Sequence, residues 1–373
     1  MKAVVLVGGE GTRLRPLTLT RPKQMLPVVE QPMIERVIAH LVSYGIDEVV
    51  LSLGYRPDAF MSAYPGGQVA GACLSYAVEP EPLDTAGAVR FAVMSTGIDS
   101  TFVVVNGDIL TDLDIGALID FHRLRRAEAT ISLIPVDDPS RFGVVPTDDA
   151  GRVIAFVEKP PRGQAPTNLV NAGSYVMEPS VVERVPGDRR CSVERETFPA
   201  MVTDGSLYAL RSNAYWLDTG TPEAYLKAHR DLLDGTRLAG DVAVGTGEEV
   251  PPAPGAYQMG RGVWALGRSQ IEGEVLPFSL VGARAVVQSG ARVSGSVVGS
   301  GALVATGAVV ADSVLLPGSR VLEGSQVRGS ILGQDAQVGP GCVVGGLSII
   351  GDEVVVGEGS FLDGARIPGS APS

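Results

Sequence analysis

Aliphatic residues in the last third of the chain recur every six positions. Val281, Val287 and Val293 open the series, and after a step of five it resumes at Val298, Val304, Val310, Leu316 and Leu322. One further slip leads to Leu332, Val338, Val344, Ile350, Val356 and Leu362. Neither an α-helix nor an alternating strand has period six. A left-turning triangular β-solenoid does: each hexad forms one flat side and its aliphatic residue points to the axis. At about eighteen residues per turn, residues 281–366 make roughly five coils. Glycine or another small residue often follows the aliphatic, as in "VGPGCV" and "IGDEVV".

The first 235 residues have another rhythm. Val4 to Val7 is a short apolar run ending at glycine, as in a buried strand. Over residues 31–44, Ile34, Val37, Ile38, Leu41 and Val42 share one helical face. "DEVVLSLGY" (47–55) and "TFVVVNGD" (101–108) read as strands, "DIGALIDFHRLRRAEA" (114–129) as a helix and "ATISLIPV" (129–136) as a strand. This alternation predicts an α/β domain with a mostly parallel, Rossmann-like sheet covered on both faces. Ligands in such sheets sit beyond the carboxyl ends of the strands, where the glycines at 8, 9 and 11 and Asp108 fall. The expected division is a sheet domain over 1–235, a turn-rich transition over 236–270 and a hexapeptide-repeat left-handed parallel β-helix over 271–373.

The net charge of −12 excludes a nucleic-acid partner, which would need a basic face to replace counterions. Cys73, Cys191 and Cys342 are scattered, without disulfide or zinc spacing. No run reaches transmembrane length and no signal peptide precedes the first strand, so a cytoplasmic protein without membrane contact is expected.

Against this acidic background, Arg13, Arg15, Arg21 and Lys23 directly follow the glycine loop. Their natural partner is a small anion. Bare glycines let backbone N–H groups approach phosphate oxygens. The loop has neither GxxxxGK[ST] nor GxGxxG spacing. Arg13 can fork onto phosphate oxygens, and Lys23 is a point charge able to follow developing charge. Arg15 and Arg21 suit either a solvated surface or a ligand role.

"GGEGTRLRPLT…PKQMLPV" resembles the signature of the sugar-1-phosphate nucleotidylyltransferases, or nucleotide-sugar pyrophosphorylases. The similarity continues in order through "EPEPLDTAG" (79–87), "VVNGDIL" (104–110), "RFGVV" (141–145), "FVEKP" (156–160), "NAGSYV" (171–176), "SVERETFP" (192–199) and "WLDTGTP" (216–222). With the hexapeptide tail it spans nearly the whole chain. Within the family the likeness points to the branch that makes GDP-mannose from GTP and mannose-1-phosphate.

The resemblance implies attack of a sugar-1-phosphate on the α-phosphorus of a nucleoside triphosphate, with release of pyrophosphate. It implies Mg2+ held by Asp108 and Asp218, whereas Asp112 and Asp114 read as turn and cap residues. Arg13 and Lys23 match the residues that hold the triphosphate. Leu6, Gly8, Gly9, Gly11, Thr12, Glu79, Thr85 and Gly107 fall at its nucleotide-binding positions. Gly143, Glu158, Lys159 and Asn171 fall at its sugar-phosphate positions. Glu79 stands where thymidylyl- and uridylyltransferases usually carry glutamine, and a carboxylate can accept from both the ring N–H and the amine of guanine. Asp84 departs from the pattern, since guanylyltransferases of this type usually have glycine there.

His40, His122 and His229 all precede the solenoid, so an acetyltransferase tail, which would need a histidine base, is not expected. His40 and His122 read as structural. The solenoid is expected to serve assembly, as in a homo-oligomer, or regulation. A glucose-1-phosphate thymidylyl- or uridylyltransferase and a non-catalytic regulatory paralogue are the alternatives. The presence of Arg13, Lys23, Asp108, Lys159 and Asp218 favours an enzyme.

Overall fold

The computed structural model describes residues 1–235 and 251–368. They form two compact units that interleave along the chain. One holds Met1–Gly9 and Ile34–Trp216; the other holds Glu10–Met33 and the described residues from Leu217 onward.

The first unit is built on one sheet. Strands β1 (Lys2–Leu6), β2 (Glu48–Leu53), β3 (Ala72–Val78) and β4 (Phe102–Asn106) run parallel in the order β4-β1-β2-β3. Strand β6 (Leu169–Met177) runs antiparallel to β4 and to β5 (Ala129–Pro135), and β7 (Leu207–Arg211) lies parallel to β5. The sheet is therefore Rossmann-like, parallel over β4-β1-β2-β3, with an antiparallel extension. Helices α1 (Met33–Ser43), α2 (Asp84–Thr96), α3 (Ile115–Arg125) and α4 (Phe198–Asp204) join the strands. On α1, Ile34, Val37, Ile38 and Leu41 are buried, the face the periodicity gave. Asp114 caps α3 by accepting the Ala117 N–H at 2.8 Å, as its position suggested. Val4, Val104, Ile131, Tyr175 and Phe198 belong to one buried core.

In the second unit, three sheets of parallel strands form the coils of the β-helix. Val281, Val298, Leu315, Leu332, Ile350 and Ile367 stack in one sheet, at intervals of 17, 17, 17, 18 and 17 residues. Val287, Val304, Val321, Val338 and Val356 stack in the second. Val293, Val310, Val327, Val344 and Leu362 stack in the third. The hexad count is corrected at one place: Leu315, Val321 and Val327 hold the axis, not Leu316 and Leu322. The reason is a corner of five residues that recurs in nearly every coil. A buried serine closes it. Ser296 Oγ accepts the Ser313 N–H of the next coil at 3.0 Å and donates to the Ser294 carbonyl at 2.7 Å. Ser313 repeats the arrangement with Ser330 and Ala311. With hydroxyl and amide both satisfied, the corner buries no unpaired group.

Within the stretch read as a transition, residues 236–250 lie outside the described residues. Beyond them, β8 (Ala256–Gly260) and β9 (Val263–Leu266) form a hairpin, and β9 pairs in parallel with Ser279–Val281 of the first coil. Helix α5 (Pro222–Leu233) also belongs to this unit; its Tyr225 hydroxyl donates to the Pro27 carbonyl. Among the described residues no helix is long and apolar enough to cross a membrane.

Candidate functional site

The carboxyl ends of β1 to β4 place the nucleotide-side residues of the first unit. Leu6 ends β1, and its carbonyl accepts the Gly107 N–H at 2.9 Å. A Cβ at 107 would lie 2.6 Å from Val7 Cγ1, so the chain can carry Asp108 this close to β1 only through a glycine. Gly9 closes this unit's first segment. A Cβ at Gly8 would stand 3.6 Å from Glu79 Oε1, which puts the Glu79 carboxylate beside the loop backbone. Glu79 follows β3 directly. Its Oε2 accepts the Leu83 N–H at 3.0 Å and its Oε1 the Ser52 hydroxyl at 3.3 Å. Each oxygen keeps a second lone pair for a ligand donor.

Asp84 opens α2 with φ +63°. That left-handed backbone favours glycine, and aspartate is among the few other residues that tolerate it. Its exposed carboxylate accepts the Thr85 N–H at 2.8 Å. Thr85 in turn donates to Glu194 Oε2 at 2.8 Å and accepts the Val193 N–H at 2.8 Å. The "SVERE" segment thus fastens the start of α2, and the Cys191 carbonyl takes the Ala86 N–H as well.

The sugar-phosphate candidates also lie in the first unit, around a β-bulge in β6 between Asn171 and Tyr175. At its centre Gly173 has φ +73°, and a Cβ there would meet Asn106 Nδ2 at 2.5 Å. The bulge turns Asn171 so that its Nδ2 donates to the Tyr175 hydroxyl at 2.9 Å while its Oδ1 accepts the Gly173 N–H at 3.0 Å. Burial holds the Tyr175 hydroxyl far above its ordinary pKa, with the Glu194 carboxylate adding to the rise, so it stays neutral. Gly143 pairs with Glu158 across two short edge strands, and a Cβ at 143 would press on the Phe156 ring at 2.7 Å. Lys159 follows with φ +48°, and its Nζ lies 2.9 Å from Glu158 Oε1. This lysine is largely exposed and the glutamate half-buried, so the pair is held only loosely. The Phe142 and Trp216 rings meet edge-on at 5.3 Å, and Trp216 Nε1 donates to the Ala172 carbonyl at 2.8 Å.

The second unit holds the cations. Residues 10–33 form single 3-10 turns, including Thr12–Leu14 and Lys23–Met25. Gly11 has φ +63°; a Cβ there would sit 3.0 Å from Thr18 Cγ2 and 3.1 Å from Lys23 Cβ. The Gly11 carbonyl accepts the Thr18 hydroxyl at 2.8 Å, and the Thr12 carbonyl accepts the Arg15 N–H at 3.2 Å. Arg13 and Asp218 come together over Gly220. A Cβ at 220 would lie 2.5 Å from Arg13 Nη2 and 2.8 Å from Asp218 Oδ1, which also accepts the Gly220 N–H at 2.9 Å. Only a glycine lets the Arg13 guanidinium and the Asp218 carboxylate come this close to the backbone at 220.

The structure settles the two open arginines differently. Arg15 Nη2 pairs with Glu10 at 2.8 Å on the surface. Arg21 Nη2 reaches Asp352 Oδ2 at 2.7 Å and Gln334 Oε1 at 2.9 Å, on late coils of the solenoid. That pair is mostly desolvated, with side-chain exposures of 22% and 8%. Thr20 donates to the same Asp352 oxygen at 2.5 Å. Glu30 accepts the Ser300 N–H at 3.0 Å and the Ser300 hydroxyl, while burial raises its carboxyl above the ordinary value. Sequence reasoning did not connect Arg21 with Asp352 or Glu30 with Ser300, because no local pattern links residues more than 250 positions apart. Asp112, read as a turn residue, accepts the Tyr215 N–H at 2.6 Å and so fixes the approach to "WLDTGTP".

The histidines are structural, as expected of His40 and His122. His40 Nε2 lies 2.9 Å from the Leu113 carbonyl, and His122 contacts Thr130 and Glu178. His229 Nδ1 accepts the Val29 N–H at 3.2 Å.

Comparison with known proteins adds the following. The nucleotidyl transferase family model matches residues 2–235, and the GMPPB C-terminal domain model matches residues 275–370. A mannose-1-phosphate guanylyltransferase of Mycobacterium tuberculosis is 38% identical over 303 residues, 79% of each chain. A probable mannose-1-phosphate guanylyltransferase 3 of Oryza sativa subsp. japonica is 33% identical over 371 residues, 98% of this chain and 95% of that one. Among solved structures, HddC from Yersinia pseudotuberculosis, complexed with GMP-PN, is 31% identical with TM-score 0.53, over 61% of this chain and 97% of that one. A putative glucose-1-phosphate thymidylyltransferase from Bacillus anthracis is 25% identical with TM-score 0.57, over 66% of this chain and 98% of that one.

Proposed function

Because the chain belongs to the nucleotidyl transferase family, we propose that it joins GTP and mannose-1-phosphate into GDP-mannose and releases pyrophosphate. The observation that carries this reading is the reach of the likeness: the Oryza sativa relative named for that activity matches 98% of this chain, solenoid included.

A phosphate oxygen of the sugar phosphate attacks the α-phosphorus of GTP, a P–O bond forms, and the bond to the departing pyrophosphate breaks. The attacking oxygen is already ionised, so no general base is needed. The barrier is repulsion between two polyanions, and catalysis is alignment and neutralisation. Arg13 forks onto the triphosphate oxygens, and Lys23 follows the charge that develops at the α-phosphorus. Asp108 and Asp218 are assigned to Mg2+; when bound, magnesium neutralises and orients the phosphate oxygens. Two carboxylates are the hard oxygen donors that magnesium takes, and that chemistry supports the fit.

Glu79 reads the guanine edge, and Thr85 supports the base from α2. Leu6, Gly8, Gly9 and Gly107 border the nucleotide along the strand ends, and Gly11 and Thr12 border its phosphates. Lys159 takes the sugar's phosphate, and Glu158, Asn171 and the Gly143 backbone take its hydroxyls. We assign the protein to the cytoplasm and to a homo-oligomer; three scattered cysteines suit a reducing compartment.

The test is pyrophosphate release with magnesium, using GTP, dTTP and UTP against mannose- and glucose-1-phosphate. The GTP–mannose-1-phosphate pair should be preferred. Failure of GTP with every sugar phosphate would reject this assignment, and no release with any pair would reject an enzyme.

A further inference from the structure

The segment that carries Arg13 and Lys23 has almost no regular structure of its own. Its 3-10 turns leave main-chain carbonyls that need donors. The solenoid supplies one. Arg366, in the last described coil strand, donates from Nη1 to the Arg13 carbonyl at 2.9 Å and to the Arg15 carbonyl at 3.4 Å. Asp352, one coil earlier, is tied to the coil that precedes its own. Its Oδ1 accepts the Gln334 N–H at 2.8 Å, and its Oδ2 takes Thr20 and Arg21. Ser300, three coils before that, grips Glu30.

We propose that Arg366 and Asp352 are positioning residues for the triphosphate-binding loop, so that the solenoid works as part of the catalytic apparatus and not only as an assembly or regulatory tail. This rests on the role given above to Arg13. Fixing the Arg13 carbonyl fixes the root of its side chain, and the guanidinium then stands over Gly220 beside Asp218. Arg366 also brings a charge-assisted donor to a turn of irregular backbone, where a neutral side chain would hold less firmly. Small displacements of such a group are costly, because alignment supplies much of the rate.

Arg366→Ala, Arg366→Lys and Asp352→Asn in the full chain separate the possibilities. Hydrogen exchange reads the loop without any assumption about the substrate. In Arg366→Ala and Asp352→Asn, the Leu14 and Arg15 amides, which bond to the Gly11 and Thr12 carbonyls, should exchange about tenfold faster or more. Amides of the central coils around Val304 should not change. In steady state, Arg366→Ala should lower kcat/KM for the nucleoside triphosphate by about 10-fold or more, while KM for the sugar phosphate stays within about twofold. Arg366→Lys should recover part of the loss. Unchanged exchange in the loop, or an equal fall of every kinetic parameter together with the thermal unfolding midpoint, would overturn the proposal. If the unmodified chain turned over no substrate pair, the reading of function would fall, and the exchange measurement would still decide whether the solenoid anchors the loop.

Discussion

The solenoid and the sheet unit solve opposite problems. In the solenoid, each axial residue has an equivalent above and below it: Val287, Val304, Val321, Val338 and Val356 form a column in which one aliphatic resembles the next. In the sheet unit, the site residues stand where regularity breaks. Asn171 borders a bulge, Lys159 and Asp84 have left-handed backbones, and Asp108 follows a glycine wedged against Val7. Repetition gives stability that is spread over many similar contacts. Chemistry needs unique directions for a few side chains, and those come from departures the surrounding core must hold in place. The loop 10–33 combines the two, being irregular itself and fastened to the repeat.

The sharpest way to break this contrast is at the carboxylates. Asp108→Asn and Asp218→Asn should each lower pyrophosphate release by about 10²- to 10³-fold or more at saturating magnesium, with far-ultraviolet circular dichroism and unfolding midpoint preserved. Near-normal turnover in either would remove that residue from the metal assignment. Gly220→Ala should come next, at about 10- to 100-fold. The added Cβ would meet only the flexible ends of Arg13 and Asp218, so the fold should tolerate it while the charged groups shift. Loss of stability without loss of activity would show that Gly220 serves the backbone alone.

A repeat position should behave in the reverse manner. Val321→Ala should cost about 2 kcal/mol in denaturant unfolding through the cavity it leaves, with both KM values unchanged. The smallest expected effect concerns pH. Burial raises the Glu30 carboxyl in the folded chain, so the native state keeps its proton to higher pH than the unfolded state does. Stability from this group is full below the unfolded value and declines as pH rises through the folded one. Glu30→Gln should therefore flatten the fall in stability just above pH 4.5 and make the chain more stable at neutral pH. A steeper fall in the variant would refute it.

The solenoid was legible because its period is arithmetic, and the one misplacement shows the limit of that arithmetic. "SVLLP" carries three adjacent aliphatics, so a count by sixes can land on Leu316 as easily as on Leu315. Only the serine-closed corner decides between them. The strand–helix order and the motif residues were legible because each is local. The anchoring of Arg21 by Asp352, and of the Arg13 carbonyl by Arg366, was not. Those contacts join residues 331 and 353 positions apart and leave no trace in composition or spacing. The hairpin at 256–266 was hidden by its glycine-rich neighbourhood, although Trp264 and Ala265 within it are buried.

The interleaving of the two units has a consequence for biogenesis. A ribosome makes Arg13 among the first residues and Arg366 some 350 residues later, yet one pins the backbone of the other. The turns that carry Arg13 can gain this hydrogen bond only after the last coils have emerged and wound. A nascent chain cut short before that point would carry every motif of its sheet and still lack the donor that holds the backbone of its first arginine.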